Sequence, residues 1–423
     1  MVLKESHSFK ILLCKSAVVR RLKVYDMKII DGNIASPLGF SADGLHAGFK
    51  KRKKDFGWIV SEVPASVAGV YTTNKVIAAP LIVTRESVKK VQKMQALVVN
   101  SGVASSCTGL QGMEDAYTMQ KWTATKLKIA PELVGVASTG VIGDLMPMDT
   151  LQKGLSKLVV NGNSDDFAQA ILTTDTKVKT VAVTEQFGRD EVTMAGVAKG
   201  SGMIHPNMAT MLAFITCDAV ISSETLQLAL SQNVETTFNQ ITVDGDTSTN
   251  DMVLVLSNGC TLNKEILPDT PEFDKFSAML HFVMQELAKK IAKDGEGATK
   301  LIEVEVINAP NSLDARMMAK SVVGSSLVKT AIFGEDPNWG RILAAVGYAG
   351  VDVPVDNIDI YLADIPVMLA SSPVDFDEED MQDVMRADTI KIIVDLHAGD
   401  SVGKAWGCDL SYDYVKINAL YRT

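Results

Sequence analysis

The chain reads as an α/β protein of layered sheets between helices, and three observations carry that expectation. Strand-like apolar runs alternate with helix-like stretches along the whole length, Leu97-Val-Val-Asn100 and Leu133-Val-Gly-Val-Ala137 being clear short strands with helical patterns after them. A helix with both a start and a stop signal lies in the second half. Of 423 residues, 47% are hydrophobic and 22% charged, which is enough apolar mass for a sizeable core and too even for a disordered chain.

In chain order, residues 1–26 come first. They are basic (Lys4, Lys10, Lys15, Arg20, Arg21, Lys23), and their apolar centre, Ile11 to Cys14, is too short for a secretory signal. They are expected to form an N-terminal extension, with the folded chain opening at Met27; an organelle transit peptide shares the basic composition. The second-half helix is predicted from Pro271 to Ala292. Thr270 suits its cap and Pro271 its first position, and Phe273, Phe276, Leu280, Val283, Leu287 and Ile291 fall on one face. Asp294-Gly-Glu-Gly297 ends it, so Glu296 belongs to a loop. Leu301 to Ile307 then alternates as a strand, with Glu303 and Glu305 facing outward. Joints are expected near Gly162, near Gly259 and at Asn308-Ala-Pro-Asn311.

Composition also excludes function classes. The net charge of −10 argues against a broad phosphate-binding surface, and so against nucleic acid as a partner. The apolar run near Ile342 is broken by Gly347, Gly350 and Asp352, and no stretch approaches the roughly 18 residues of a membrane helix. Five widely spaced cysteines without a C-x-x-C are a reduced pattern, and five scattered histidines offer no metal site. A cytoplasmic location and no resident metal or cofactor are expected.

No phosphate loop and no dinucleotide fingerprint occur. Gly399-Asp-Ser-Val-Gly403 matches the G-x-S-x-G elbow, but no histidine and no helical pattern follow Ser401, so a Gly-rich loop is expected there. The informative segment runs from Lys199 to Leu212. A Gly-rich loop and a proline lead to Met208-Ala209-Thr210 and then into an apolar strand-like run ending at Thr216. From these residues alone, two readings stand: Thr210 as an ordinary β-branched strand residue, or Thr210 as a hydroxyl that attacks the Ala209 carbonyl, opens the chain and gains its own α-amine as base.

Lys199–Leu212 resembles the self-cleavage segment of the ornithine acetyltransferase family, the bifunctional glutamate N-acetyltransferase/ornithine acetyltransferases of arginine biosynthesis. Further segments are similar in the same order: Gly39-Phe40, Ala68–Asn74, Ser138–Gly143, Thr173–Thr176, Asp244–Asp251, Asp294–Lys300, Gly334–Arg341 and Tyr414–Thr423. The stretch Asn100-Ser-Gly-Val-Ala-Ser-Ser-Cys-Thr-Gly109 departs from the family pattern, because Val103 and Ser105 stand where amides are usual.

The resemblance implies a self-cleaving, N-terminal-nucleophile-like fold cut between Ala209 and Thr210, with an alpha chain 27–209 and a beta chain 210–423. It implies Thr210 as nucleophile, Thr139 and Gly140 as the oxyanion pair, and substrate contacts at Thr173, Lys199, Thr210, Glu296, Asn418 and Thr423. The implied reaction is ping-pong: Thr210 takes acetyl from N-acetylornithine, and glutamate removes it as N-acetylglutamate. Acetyl-CoA is an alternative donor in bifunctional members. An α2β2 assembly is implied. Two rivals are a hydrolase, in which water resolves the acyl-enzyme, and an uncleaved amino-acid-binding protein.

Overall fold

The computed structural model describes residues 27–205, 211–352 and 354–420. The extension 1–26, Ala209, Thr210 and Thr423 lie outside the described residues. Among the described residues, two sheets are built from alternating strands and helices, as the pattern predicted. The larger has nine strands, ordered Lys28–Ile29, Lys179–Phe187, Asp190–Lys199, Leu212–Cys217, Met252–Ser257, Phe56–Tyr71, Lys93–Val103 and Val134–Val141, with Phe40–Leu45 added beside the first half of Phe56–Tyr71. The smaller has seven, ordered Ser372–Pro373, Ile365–Leu369, Asp359–Leu362, Thr389–Asp395, Leu301–Ala309, Ser401–Cys408 and Ile241–Thr242.

Helices Ser223–Val234 and Pro271–Lys293 pack in a core shared by both sheets, where Ile215 and Val253 of the larger meet Trp406 and Cys408 of the smaller. Strand period two decides which layer each residue serves. Ala213, Ile215 and Cys217 face this shared core, whereas Leu212 and Phe214 face a second core with Phe167 and Ile171. Both central strands, Leu212–Cys217 and Met252–Ser257, are buried throughout and pair in parallel, which explains their unbroken apolar runs. Helices Ser312–Gly324, Ser326–Phe333, Trp339–Gly347 and Glu378–Arg386 cover the far face of the smaller sheet.

The predicted helix spans Pro271–Lys293, and the Thr270 hydroxyl accepts the Phe273 N–H at 3.2 Å as its cap. All six residues of its predicted face are buried. The predicted strand runs to Ala309, two residues further than expected, because its pairing with Ser401–Cys408 continues across an irregularity. Glu303 and Glu305 turn away from the core and meet Lys289, Lys391 and Lys404. The joints at Gly162 and Gly259 fall in turns within the layers, and Asn311 caps the helix that follows.

Two expectations at the C-terminal end need correction. Ser401 opens a strand paired with Leu301–Ala309 and does not sit in a loop. A helix, Tyr412–Leu420, does follow it, although with none of its residues buried it has no apolar face from which to be read. The strand separating Ser401 from this helix still breaks the strand–turn–helix context that a nucleophile elbow requires.

At one side of the larger sheet, Val134–Val141 runs parallel to Lys93–Val103, with Thr139 opposite Ser101 and Gly140 opposite Gly102. A Cβ at Gly140 would stand 2.3 Å from the Gly102 carbonyl carbon, and its φ of +130° is one that side chains rarely adopt. Gly140→Ala should therefore destabilise the protein by about 3 kcal/mol or more, the sum of strain and displaced backbone, in a denaturant titration. In the same measurement Thr270→Ala should cost about 1 kcal/mol and Leu287→Ala about 2–5 kcal/mol.

Candidate active site

The strand end bearing Thr139 and Gly140 is pinned by two buried amides. Asn250 donates to the Ser138 carbonyl at 2.8 Å and to the Ala104 carbonyl at 2.7 Å. Asn100 donates to the Val103 carbonyl at 2.9 Å and accepts from the Ser138 hydroxyl. These bonds satisfy backbone groups where the strand pairing becomes irregular, and they hold the segment rigid. Val103 and Ser105 are buried beside it. Ser105 takes a φ of +52°, a conformation in which asparagine is several-fold enriched, and its buried hydroxyl finds no hydrogen-bond partner among the described residues.

Lys199 ends the strand Asp190–Lys199, opposite Leu212. Its ammonium donates to the Thr139 hydroxyl at 3.3 Å, although the residue is only 8% exposed. Burial pushes the ammonium below the ordinary lysine range. The carboxylates Asp175, Asp251 and Glu296 oppose that shift, and Lys179 adds to it. Thr173 is held by its backbone N–H, which donates to Asp175 at 2.9 Å.

Glu296 stands in the loop after the helix Pro271–Lys293, as predicted. Its backbone N–H donates to the Ser201 carbonyl at 2.9 Å. Its carboxylate lies where Gly202 has no side chain, for a Cβ at Gly202 would be 2.4 Å from it. Asn418 donates to that carboxylate at 2.8 Å from the helix Tyr412–Leu420. The same helix is tied down by Tyr414, whose hydroxyl donates to Asp244 at 3.3 Å, and by Ser411, whose hydroxyl donates to the Gly297 carbonyl at 2.6 Å.

One cavity of about 230 Å³ joins these parts. Thr139, Gly140, Thr173, Lys199, Glu296 and Asn418, spread over most of the sequence, all line it. Met211 lines it too, and Met211 is bonded to Thr210 in the chain. The sequence reading did not single out three acidic groups of the wall: Asp244, Asp246 and Asp251. All three fall inside the segment Asp244–Asp251, so a signal for them existed, but nothing in the spacing joined them to Tyr414. Asp251 is 3% exposed, and burial drives its carboxyl well above the usual range. Among the described residues of the lining, Lys199 is the one cation, set against four carboxyl groups. This division suits a small ligand that carries a carboxylate at one end and an ammonium group at the other.

The ArgJ family model matches residues 41–423 of the chain. The chain is 99% identical over 397 residues to the arginine biosynthesis bifunctional protein ArgJ of Streptococcus mutans serotype c, covering 94% of this chain and 100% of that protein. It is 82% identical, with the same coverage, to the protein of that name from Streptococcus thermophilus. Among solved structures, the arginine biosynthesis bifunctional protein argJ of Bacillus halodurans is 53% identical, with 49% of this chain and 98% of that chain covered and a TM-score of 0.48. The ornithine acetyltransferase of Mycobacterium tuberculosis, crystallised with ornithine, is 34% identical, with 43% and 100% covered and a TM-score of 0.40. The chain therefore belongs to the ArgJ family.

Proposed function

We propose that the protein is a glutamate N-acetyltransferase of arginine biosynthesis that moves acetyl from N-acetylornithine to glutamate through an acetyl ester on Thr210. The observation that carries this reading is the meeting of Thr139, Gly140, Thr173, Lys199, Glu296 and Asn418 in one cavity whose wall includes Met211, the residue joined to Thr210. The names of its relatives, which assign them to arginine biosynthesis and, in one case, pair an acetyltransferase with ornithine, support it.

The chain first opens between Ala209 and Thr210, by attack of the Thr210 hydroxyl on the Ala209 carbonyl and hydrolysis of the resulting ester. The new α-amine then serves the hydroxyl as base. The Thr210 oxygen attacks the acetyl carbonyl of N-acetylornithine; the tetrahedral oxygen is met by the Thr139 hydroxyl and the Gly140 N–H, and ornithine leaves with a proton. Glutamate repeats the attack on the ester and leaves as N-acetylglutamate. Lys199 attracts the substrate α-carboxylate, and Glu296, steadied by Asn418, takes the ammonium group. Thr423 completes the substrate contacts. Acetyl-CoA is an alternative acetyl donor to glutamate, which makes the enzyme bifunctional.

The sheet order supports continued association after cleavage. Strand Leu212–Cys217 pairs with Asp190–Lys199, and Met252–Ser257 pairs with Phe56–Tyr71, so strands of the beta chain would lie between strands of the alpha chain. Two such pairs form the proposed α2β2 assembly, and light scattering tests it. Among the described residues no helix is long and apolar enough to cross a membrane; the proposed site of action is the cytoplasm.

Intact mass spectrometry tests the central claim. Purified protein should give two fragments, the second beginning Thr-Met-Leu, and incubation with N-acetylornithine should add one acetyl group to that second fragment. Thr210→Ala should remain one chain without transferase activity; a cleaved, active Ala variant defeats the scheme. If water discharges the acetyl-enzyme as fast as glutamate does, the protein is a hydrolase instead. Removing the Thr139 hydroxyl in Thr139→Val should lower kcat by about 10²-fold, the loss expected of one oxyanion donor.

Lys199 predicts a pH dependence. Its ammonium loses its proton as pH rises, and burial brings that loss to a lower pH than for an exposed lysine. Calorimetric affinity for ornithine should therefore fall as pH rises, beginning below the pH at which an exposed lysine titrates, and Lys199→Met should be weak at every pH.

A further inference from the structure

Behind the cavity, and not lining it, a lysine lies between two carboxylates. Lys179 opens the strand Lys179–Phe187, and its side chain is 1% exposed. Its ammonium donates to Asp175 at 2.6 Å and to Asp294 at 2.5 Å. Both carboxylates are themselves shut away from water, with side chains 0% and 6% exposed.

Each carboxylate is also the hub of one arm of the site. Asp175 accepts the Thr173 N–H at 2.9 Å and the Gly200 N–H, next to Lys199, at 2.7 Å. Asp294 accepts the Thr176 N–H at 3.1 Å and the Thr176 hydroxyl, and its own carbonyl accepts the Ser201 hydroxyl at 2.6 Å. Two residues on, Glu296 is tied to the Ser201 carbonyl. Thr173 and Lys199 therefore hang from Asp175, and Glu296 from the loop of Asp294.

We propose that Lys179 is a positioning residue for substrate binding: by drawing Asp175 and Asp294 onto one ammonium, it sets the distance between the carboxylate-binding and ammonium-binding ends of the cavity. The proposal deepens the functional reading above and rests on it for the identity of the ligand. Stability alone does not require such a triad. Buried ion groups can often be exchanged for well-packed apolar side chains at little or no cost, whereas loss of one member strands its partners as uncompensated charge. Apolar packing is non-directional, whereas charge-assisted hydrogen bonds fix the partners' distance and orientation. A ligand recognised at both ends needs that separation held within a fraction of an ångström.

Two variants of the full-length, cleaved protein test the proposal. In Lys179→Met, the KM for N-acetylornithine and the Kd for ornithine should both rise about tenfold or more, while kcat at saturation changes less than about threefold, because bound substrate still meets the same reacting groups. The melting temperature should fall as well, since two carboxylates lose their counter-ion. The double variant K179M/D294N removes the carboxylate left without its cation and keeps Asp175, which still faces Lys199 and still accepts the Thr173 and Gly200 N–H groups. It should recover most of the melting temperature and keep the raised KM and Kd. Recovery of KM and Kd together with stability would reduce Lys179 to a scaffold residue and overturn the proposal, as would an unchanged KM in Lys179→Met. If that single variant does not fold, the double variant decides by the same criterion. A wild-type protein that binds ornithine but transfers no acetyl group would defeat the functional reading, and the change in ornithine Kd would then judge the positioning role by itself.

Discussion

An ammonium group in a wall almost closed to water is the constraint from which the site is built. Lys199 can stay charged there only if opposite charge surrounds it, since removing an ion from water costs several kcal/mol. Asp175 is the foremost of the carboxylates that oppose the effect of burial on Lys199, ahead of Asp251 and Glu296. Carboxylates at this depth need compensation in turn. Burial raises the Asp175 carboxyl, but Lys179, Lys199 and the Gly200 N–H outweigh it and hold the group far below the usual range. Asp251 is not so provided, and its carboxyl rises instead. The same bonds that neutralise charge also fix the loops on which the ligand-facing groups stand.

The sheet supplies the rigidity that such a site needs. Thr139 and Lys199 sit at strand ends, and the Thr139 strand is additionally pinned by Asn100 and Asn250. Glycine is used where backbone must come close: Gly140 against Gly102, and Gly202 against the Glu296 carboxylate. A side chain at either position would displace the group the cavity depends on. The interleaving of strands from before and after residue 210 means that opening the chain there would leave the hydrogen-bonded sheet to hold both halves.

The helix Tyr412–Leu420 follows a different logic. None of its residues is buried, and its described ring contact is the edge-to-face approach of Tyr412 to Phe333, with centroids 5.7 Å apart. It is held at three polar points, Ser411 on Gly297, Tyr414 on Asp244 and Asn418 on Glu296, two of which are carboxylates of the cavity wall. Its placement therefore depends on the charges of the site that it covers.

Local chemistry was legible in the chain. The helix Pro271–Lys293 announces itself by a capping threonine, a first-turn proline and a single apolar face, because those signals act within a few residues of one another. The alternation of Leu301–Ala309 and the loop position of Glu296 are local in the same sense, and the run of family-like segments named the six residues that meet in the cavity. Their meeting was not legible. Lys179 carries no motif, and its bond to Asp294 spans 115 positions; the bond between Tyr414 and Asp244 spans 170. The helix Tyr412–Leu420 escaped for want of an apolar stripe. Propensity, capping and hydrophobic period are properties of neighbours along the chain, so residue order sufficed for the elements that carry such signals. Compensation of buried charge is a property of neighbours in space, so the partners of Lys199 came into view only when strands from distant parts of the chain were laid side by side.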